Sequence, residues 1–214
     1  MNIAINKAHF PVTVLGPGRR IGLWVQGCSI ECKGCVSRDT WPQDDGRAMR
    51  VADLLAWCEQ VSGNTLDGVT ISGGEPFEQA AAPEQLLEGL ARWRARRRLE
   101  FDILCYSGYP LATLRLRHAA LLDRLDAVIA EPYVDALPGE HPWCGSSNQK
   151  LTVLSRRGRQ RYATAPNPAG KRIQALVDGQ RVWYVGIPAR GDMARLEALC
   201  HERGVDFAQV SWRP

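Results

Sequence analysis

Cys28, Cys32 and Cys35 stand within eight residues of one another, at x3 and x2 spacings, directly after a short apolar run. Three thiols so close in sequence constrain their loop to fold around a shared ligand. Three thiolates hold three corners of a cubane iron–sulfur cluster and leave the fourth iron without a protein ligand. An iron with an open position does chemistry on a bound molecule, whereas a fully ligated one chiefly carries electrons. The rival reading is a zinc site or a closed cluster, either of which needs a fourth protein ligand. Cys58, Cys105, Cys144 and Cys200 are scattered singly, and no second close pair exists. Cys58 and Cys200 fall on apolar helical faces, where a lone cysteine is a small core residue. Cys105 ends an apolar strand and Cys144 lies in a loop, so a fourth ligand from either stays open.

Seven cysteines, an odd number with three clustered, fit a metal site in a reducing compartment better than a disulfide framework. A length of 214 residues with 45% apolar content suits one domain, or one domain with an appendage. The net charge of +4 is too small to point to nucleic acid. No apolar run reaches the ~18 residues of a membrane span. Residues 1–6 show no charged segment followed by an apolar one. The cytoplasm is the expected location.

Ile21 to Gln26, Gly68 to Ser72, Phe101 to Tyr106 and Ala127 to Ala130 are short apolar runs that read as strands. Between them, helical spacing of Leu54, Trp57, Cys58 and Val61 predicts a helix over 51–62. Pro83 opens a second helix with Leu86, Leu90 and Trp93 on its inner face, and 111–124 forms a third. Alternating strands and helices of these lengths imply βαβ units around a parallel sheet. Leu151 to Leu154 adds a further strand. Residues 156–172, with Arg156, Arg157, Arg159, Arg161, Lys171, Arg172 and two prolines, read as a basic linker. Beyond it, Ile173 to Val177 and Val182 to Ile187 flank Asp178-Gly179, a pair that favours the tight hairpin turn. Met193, Leu196, Leu199 and Cys200 mark a helix, and Val205 to Trp212 a last strand. The domain reading is a core over 1–155, the linker over 156–172, and an extension of hairpin, helix and strand over 173–214.

Gly73-Gly74-Glu75-Pro76 ends the second predicted strand. In parallel α/β architectures ligands bind at this end of the strands. Two glycines permit a close backbone approach, Glu75 supplies a negative group, and Pro76 fixes the turn.

Cys28-x3-Cys32-x2-Cys35 followed by Gly73-Gly74-Glu75-Pro76 resembles the radical S-adenosylmethionine enzymes. The resemblance narrows to the glycyl-radical-enzyme activases. Gly16-Pro17-Gly18-Arg19 ahead of Leu23-Trp24-Val25-Gln26-Gly27-Cys28, then Thr40-Trp41 and Tyr106-Ser107-Gly108-Tyr109, match that group in order. Trp143-Cys144-Gly145-Ser146-Ser147-Asn148-Gln149 resembles the closing motif of the activases of anaerobic ribonucleotide reductase. Residues 156–214 extend well past the compact activase, and two departures within the motifs stand out. That motif usually carries an arginine where Cys144 stands, and the Asp-Gly expected after the fourth strand is Glu131-Pro132 here.

The resemblance implies a partial (β/α) barrel of radical S-adenosylmethionine type, with the cluster at the C-terminal rim and a small α+β extension. It implies a [4Fe–4S] cluster on Cys28, Cys32 and Cys35 with S-adenosylmethionine on the open iron. Gly73, Gly74 and Glu75 would hold the methionine end, Gly34 and Val36 would flank the adenine, and Ser107 and Glu131 would contact ribose or carboxylate. One electron then cleaves the cofactor to methionine and a 5′-deoxyadenosyl radical, with no catalytic side chain beyond cluster and cofactor. The radical takes hydrogen from a glycine Cα in a partner enzyme such as anaerobic ribonucleotide reductase, with a flavodoxin- or ferredoxin-type electron donor. A radical enzyme acting on another peptide or small molecule, and a non-catalytic iron–sulfur module, are the competing functions.

Overall fold

The computed structural model describes residues 1–63, 65–79, 81–163, 173–179 and 181–213. Its elements run β1 (Asn2–Val12), β2 (Arg20–Val25), β3 (Ala48–Arg50), α1 (Val51–Ser62), β4 (Gly68–Gly73), α2 (Ala82–Arg97), β5 (Asp102–Tyr106), α3 (Leu111–Arg117), α4 (Ala119–Leu122), β6 (Ala127–Ala130), β7 (Lys150–Val153), α5 (Arg156–Ala163), β8 (Ile173–Asp178), β9 (Arg181–Gly186) and α6 (Asp192–His201). Seven strands form one sheet in the order β3-β1-β2-β4-β5-β6-β7, and β8 pairs with β9 separately. β2, β4, β5 and β6 are mutually parallel, while β1 and β7 run antiparallel to their neighbours. The molecule is therefore a mixed α/β protein around a parallel-rich sheet.

The period of two along each strand sorts side chains between two faces. Ile21, Leu23 and Val25 of β2, Val69 and Ile71 of β4, and Ile103 and Cys105 of β5 pack with Leu54, Leu86, Leu90, Trp93 and Leu114 of the helices. The opposite face carries Leu104, Ala127 and Ile129, covered by Trp143, Cys144 and Tyr162. Beside them Trp24 packs with Val12, Val14, Leu15 and Val185 of the hairpin. Burial on both faces explains why the parallel strands read as continuous apolar runs.

Arg20, at the start of β2, is fully buried on this second face. Its guanidinium makes a bidentate pair with Asp102 at 2.8 and 2.9 Å and donates to Thr70 Oγ1, Pro17 O and Val69 O. All five N–H donors are thus engaged, which is the condition for a tolerable buried charge. Tyr162 of α5 donates to the same carboxylate at 2.9 Å. Gly68 is required here, because a Cβ on it would lie 2.1 Å from Arg20 Nη1.

Several sequence expectations change. The predicted 111–124 helix breaks at His118 into α3 and α4. β1, eleven residues long, and the short β3 were not anticipated. Where the basic linker was expected to begin, Arg156–Ala163 is a helix. Arg161 reaches Asp102 and the partly exposed Asp67, and Arg157 reaches Asp126, so acids distant in sequence, two of them buried, fold a segment that lacks apolar periodicity. The remainder of that linker, 164–172, lies outside the described residues. Residues 205–212 form no strand. Phe207 and Trp212 instead stack edge-on with each other and with Tyr184 of β9.

Replacing Arg20 with alanine strands Asp102 as an uncompensated buried charge. The expected loss is about 3–5 kcal/mol of unfolding free energy, measured by urea denaturation. A loss below about 1 kcal/mol, the range of an exposed ion pair, would contradict the assigned role.

Candidate functional site

The loops that follow β2, β4, β5 and β6 meet at the C-terminal ends of the parallel strands. β2 runs directly into Gln26, Gly27 and Cys28. The cysteine loop then turns back on itself, with Gly27 N–H on Thr40 O at 2.7 Å and Cys28 N–H on Trp41 O at 3.0 Å. Gln26 fixes this return, because its Nε2 donates to Asp39 O and Pro42 O. Within the loop Glu31 and Gly34 both take left-handed backbone, at φ 47° and 82°.

Each of the three thiols faces a backbone N–H. The amides of Ile30 and Glu31 face Cys28, and that of Tyr133 faces Cys32. Ser37 N–H lies 3.4 Å from Cys35 Sγ. Burial raises the Cys28 and Cys32 thiols, and the neighbouring acids Glu75 and Glu78 add to this at Cys28. The facing amides pull the other way, as they do for anionic sulfur. Among the described residues, no three metal-ligating side chains are drawn into one coordination set. The cysteines are neighbours along one loop, with Cys35 N–H on Cys32 O at 3.1 Å.

Gly73 and Gly74 seat β4's end on β2's end. A Cβ on Gly73 would lie 2.5 Å from Val25 N, and one on Gly74 would lie 2.1 Å from Gly27 O. The close approach that these glycines allow is made by the chain's own backbone. Gly74 N–H donates to Val25 O and Glu75 N–H to Gly27 O, both at 2.9 Å. Glu75 itself is 1% exposed. Its carboxylate accepts from Phe77 N–H, Ser107 Oγ and Gly108 N–H at 3.1, 2.9 and 2.7 Å. Burial pushes this carboxyl up to about 7 against the pull of those donors.

The other expected site residues are placed as follows. Ser107 is buried, its hydroxyl donating to Glu75 and accepting from Tyr109 N–H. Glu131, with φ 91°, donates its N–H to Tyr109 O and accepts from Leu111 N–H at the start of α3. Gly34 sits against the Asp135 side chain. Val36 follows Cys35, and its carbonyl accepts from Ser211 Oγ at 2.9 Å. Cys105 and Cys144, left open as fourth ligands, are both buried among apolar side chains on opposite faces of the sheet.

Sequence reasoning missed two supports. Glu78 accepts from Ser29 N–H and Ser29 Oγ at 3.0 and 2.6 Å and from Tyr109 Oη at 3.1 Å, so it clamps the residue after Cys28. Its place in the turn after Gly-Gly-Glu-Pro was the available signal. The segment holding Tyr133 against Cys32 is braced by the closing motif. Ser146 Oγ accepts from Val134 N–H, Asn148 donates to Pro132 O, and Gln149 donates to Glu131 O.

Fold and site together define an α/β protein with a thiol-lined loop at the C-terminal rim of its parallel strands. Residues 14–152 match the model of the 4Fe-4S single cluster domain. The chain is similar to the anaerobic ribonucleoside-triphosphate reductase-activating protein of Enterobacteria phage T4, with 31% identity over 64% of this chain and 86% of that protein. The protein of the same name from Escherichia coli K12 is 30% identical over 68% of this chain and 96% of its own length. The pyruvate formate-lyase 1-activating enzyme of that strain matches at 39% over 32% of this chain and 29% of its own. The crystal structure of QueE from Escherichia coli overlaps with a TM-score of 0.46 at 17% identity, over 96% of this chain and 92% of that one.

The chain belongs to the 4Fe-4S single cluster domain family, as a radical S-adenosylmethionine enzyme of the activase type. Its cofactors are a [4Fe–4S] cluster and S-adenosylmethionine. The donor set suits that cluster, because each sulfur in the three-cysteine loop has an amide of its own.

Glu75 generates a pH prediction for the cluster-free protein. Its carboxyl rises from 4.5 to about 7 on folding. The native state thus holds this proton more tightly than the unfolded one. The contribution is complete below 4.5 and is lost as pH rises through about 7. At 1.36 kcal/mol per pH unit it amounts to about 3 kcal/mol. Denaturation of the wild type and of Glu75→Gln across that window should show the wild type losing this amount relative to the variant. Parallel pH profiles would contradict the assignment.

Proposed function

We propose that this enzyme installs a glycyl radical on a partner enzyme, of which an anaerobic ribonucleotide reductase is the expected example. The observation that carries the reading is the rim itself, a three-cysteine loop with an amide on each sulfur, seated on the Gly73-Gly74-Glu75 turn. The names of the relatives, which activate a ribonucleoside-triphosphate reductase or a pyruvate formate-lyase, support the class of partner. When bound, the two cofactors supply reductive cleavage of a sulfonium carbon–sulfur bond and a carbon radical that abstracts hydrogen.

In this reading Cys28, Cys32 and Cys35 ligate the irons. Gly73, Gly74 and Glu75 receive the methionine end, with Glu75 setting the turn rather than offering free oxygens. Gly34 and the side chain of Val36 flank the adenine, and Ser107 and Glu131 border the ribose and carboxylate. The Tyr133 amide faces Cys32, and the Glu78 carboxylate holds Ser29, so the loop that would hold the cluster is braced from two sides. Residues 1–155 form the radical S-adenosylmethionine core as a partial (β/α) barrel, and 173–214 form a C-terminal extension. The barrel reading is supported by four parallel strands whose C-terminal ends share one site. No described helix is long and apolar enough to cross a membrane. In this reading the enzyme is cytoplasmic and is served by a flavodoxin- or ferredoxin-type donor.

Anaerobic incubation of reconstituted protein, S-adenosylmethionine, a reductant and an anaerobic ribonucleotide reductase should yield the doublet signal of a glycyl radical in electron paramagnetic resonance. Cofactor cleavage without that signal would remove this partner. Cys32→Ala should lose 5′-deoxyadenosine formation altogether, and a variant retaining wild-type turnover would refute the ligand set.

A further inference from the structure

The family match ends at residue 152, so everything after β7 is outside what this chain shares with that family model. Yet the tail returns to the cysteine loop. Ser211 Oγ donates to Val36 O at 2.9 Å, and Arg38 N–H donates to Ser211 O at 3.2 Å. These two bonds bracket Ser37, whose N–H faces Cys35 Sγ at 3.4 Å. The Val36 carbonyl and the Ser37 N–H belong to one planar peptide and point in opposite directions. Holding the carbonyl therefore aims the N–H at the sulfur.

Ser211 is itself anchored. Trp212 Nε1 donates to Glu197 of α6, and Arg213 pairs with the same carboxylate at 3.0 Å. The Trp212 ring stacks edge-on with Tyr184 and Phe207 at 6.2 Å from each. The hairpin carrying Tyr184 is fixed to β1, because Gln174 accepts from Thr13 N–H and donates to Pro11 O, and Val185 is buried against Val12 and Trp24. An unbroken series of contacts thus runs from β1 through the hairpin and α6 to the peptide that faces Cys35. A second contact reaches the same loop indirectly: Arg190 lies 3.9 Å from Asp135, in the segment after β6, whose side chain sits against Gly34.

We infer that Ser211 is a positioning residue for the Cys35 sulfur, and that the C-terminal extension is the fixture that holds it there. The inference rests on the reading that Cys35 ligates the cluster. Hydrogen bonds to sulfur help set the reduction potential of such clusters. An N–H donor favours the reduced, more negative state. The extension would thereby set how readily the cluster accepts its electron.

The test is the midpoint potential of the reconstituted cluster, titrated by electron paramagnetic resonance in the wild type, Ser211→Ala and Ser211→Thr. Ser211→Ala should take up the same iron and move the midpoint to more negative potential. A tenfold weaker reduction equilibrium corresponds to about 59 mV for one electron. Ser211→Thr keeps the hydroxyl and should stay with the wild type. An unchanged midpoint in Ser211→Ala overturns the inference. Where a variant does not load, hydrogen exchange of the Ser37 amide in cluster-free protein decides: faster exchange in Ser211→Ala supports the role, and an equal rate overturns it. A wild-type chain that forms no cluster, or one whose cluster ignores S-adenosylmethionine, overturns the proposed function instead.

Discussion

One buried carboxylate, that of Glu75, joins the ends of two parallel strands at the place where the chemistry is set. It is held by Phe77, Ser107 and Gly108, which lie after β4 and after β5. Its own N–H reaches the carbonyl of Gly27, one residue before Cys28. Three strand ends thus share a single group, and the cysteine loop starts from the third. A buried acceptor of this kind is costly when a partner is missing, so the three loops are energetically coupled. Gly73 and Gly74 make the arrangement possible, because a side chain there would occupy the backbone of β2 and of Gly27.

The opposite end of the same strands is pinned by charge. Arg20 and Asp102 face each other across the starts of β2 and β5, over the glycine that opens β4. Such a pair contributes little compared with a well-packed apolar substitute, but removing one partner is severely destabilising. Together the two ends fix register and tilt of the parallel strands. The cysteine loop can then remain a loop: its shape comes from Gln26 and Glu78, next to the ends of β2 and β4, from Tyr133 after β6, and from Ser37 within the loop itself.

The parallel strands and the helices between them were legible because burial on both faces leaves continuous apolar runs, and because Leu54, Leu86 and Leu90 keep helical spacing. The hairpin was legible from Asp178-Gly179. β1 was not: Ile3, Ile5 and Val12 are buried, but Asn6 to Pro11 are all half-buried and include Lys7, His9 and Pro11, so no steady alternation marks the strand. α5 was not, because Arg157, Arg161 and Tyr162 are fixed by acids far away in sequence rather than by an apolar stripe. At the site, the three cysteines and the Gly-Gly-Glu-Pro turn stood out as local motifs. Glu78 was signalled only by its place after the Gly-Gly-Glu-Pro turn, while Tyr133 and Ser211 act on the loop across separations that no local pattern reveals; Ser211 and Val36 are 175 residues apart.

The central claim is that this rim builds a cluster with one iron open to S-adenosylmethionine. The most direct measurement is iron and sulfide analysis after anaerobic reconstitution, followed by electron paramagnetic resonance of the reduced protein with and without S-adenosylmethionine. The account predicts a cubane signal that changes when S-adenosylmethionine is added. Zinc in place of the cluster, or a cubane signal that S-adenosylmethionine leaves unchanged, would contradict it.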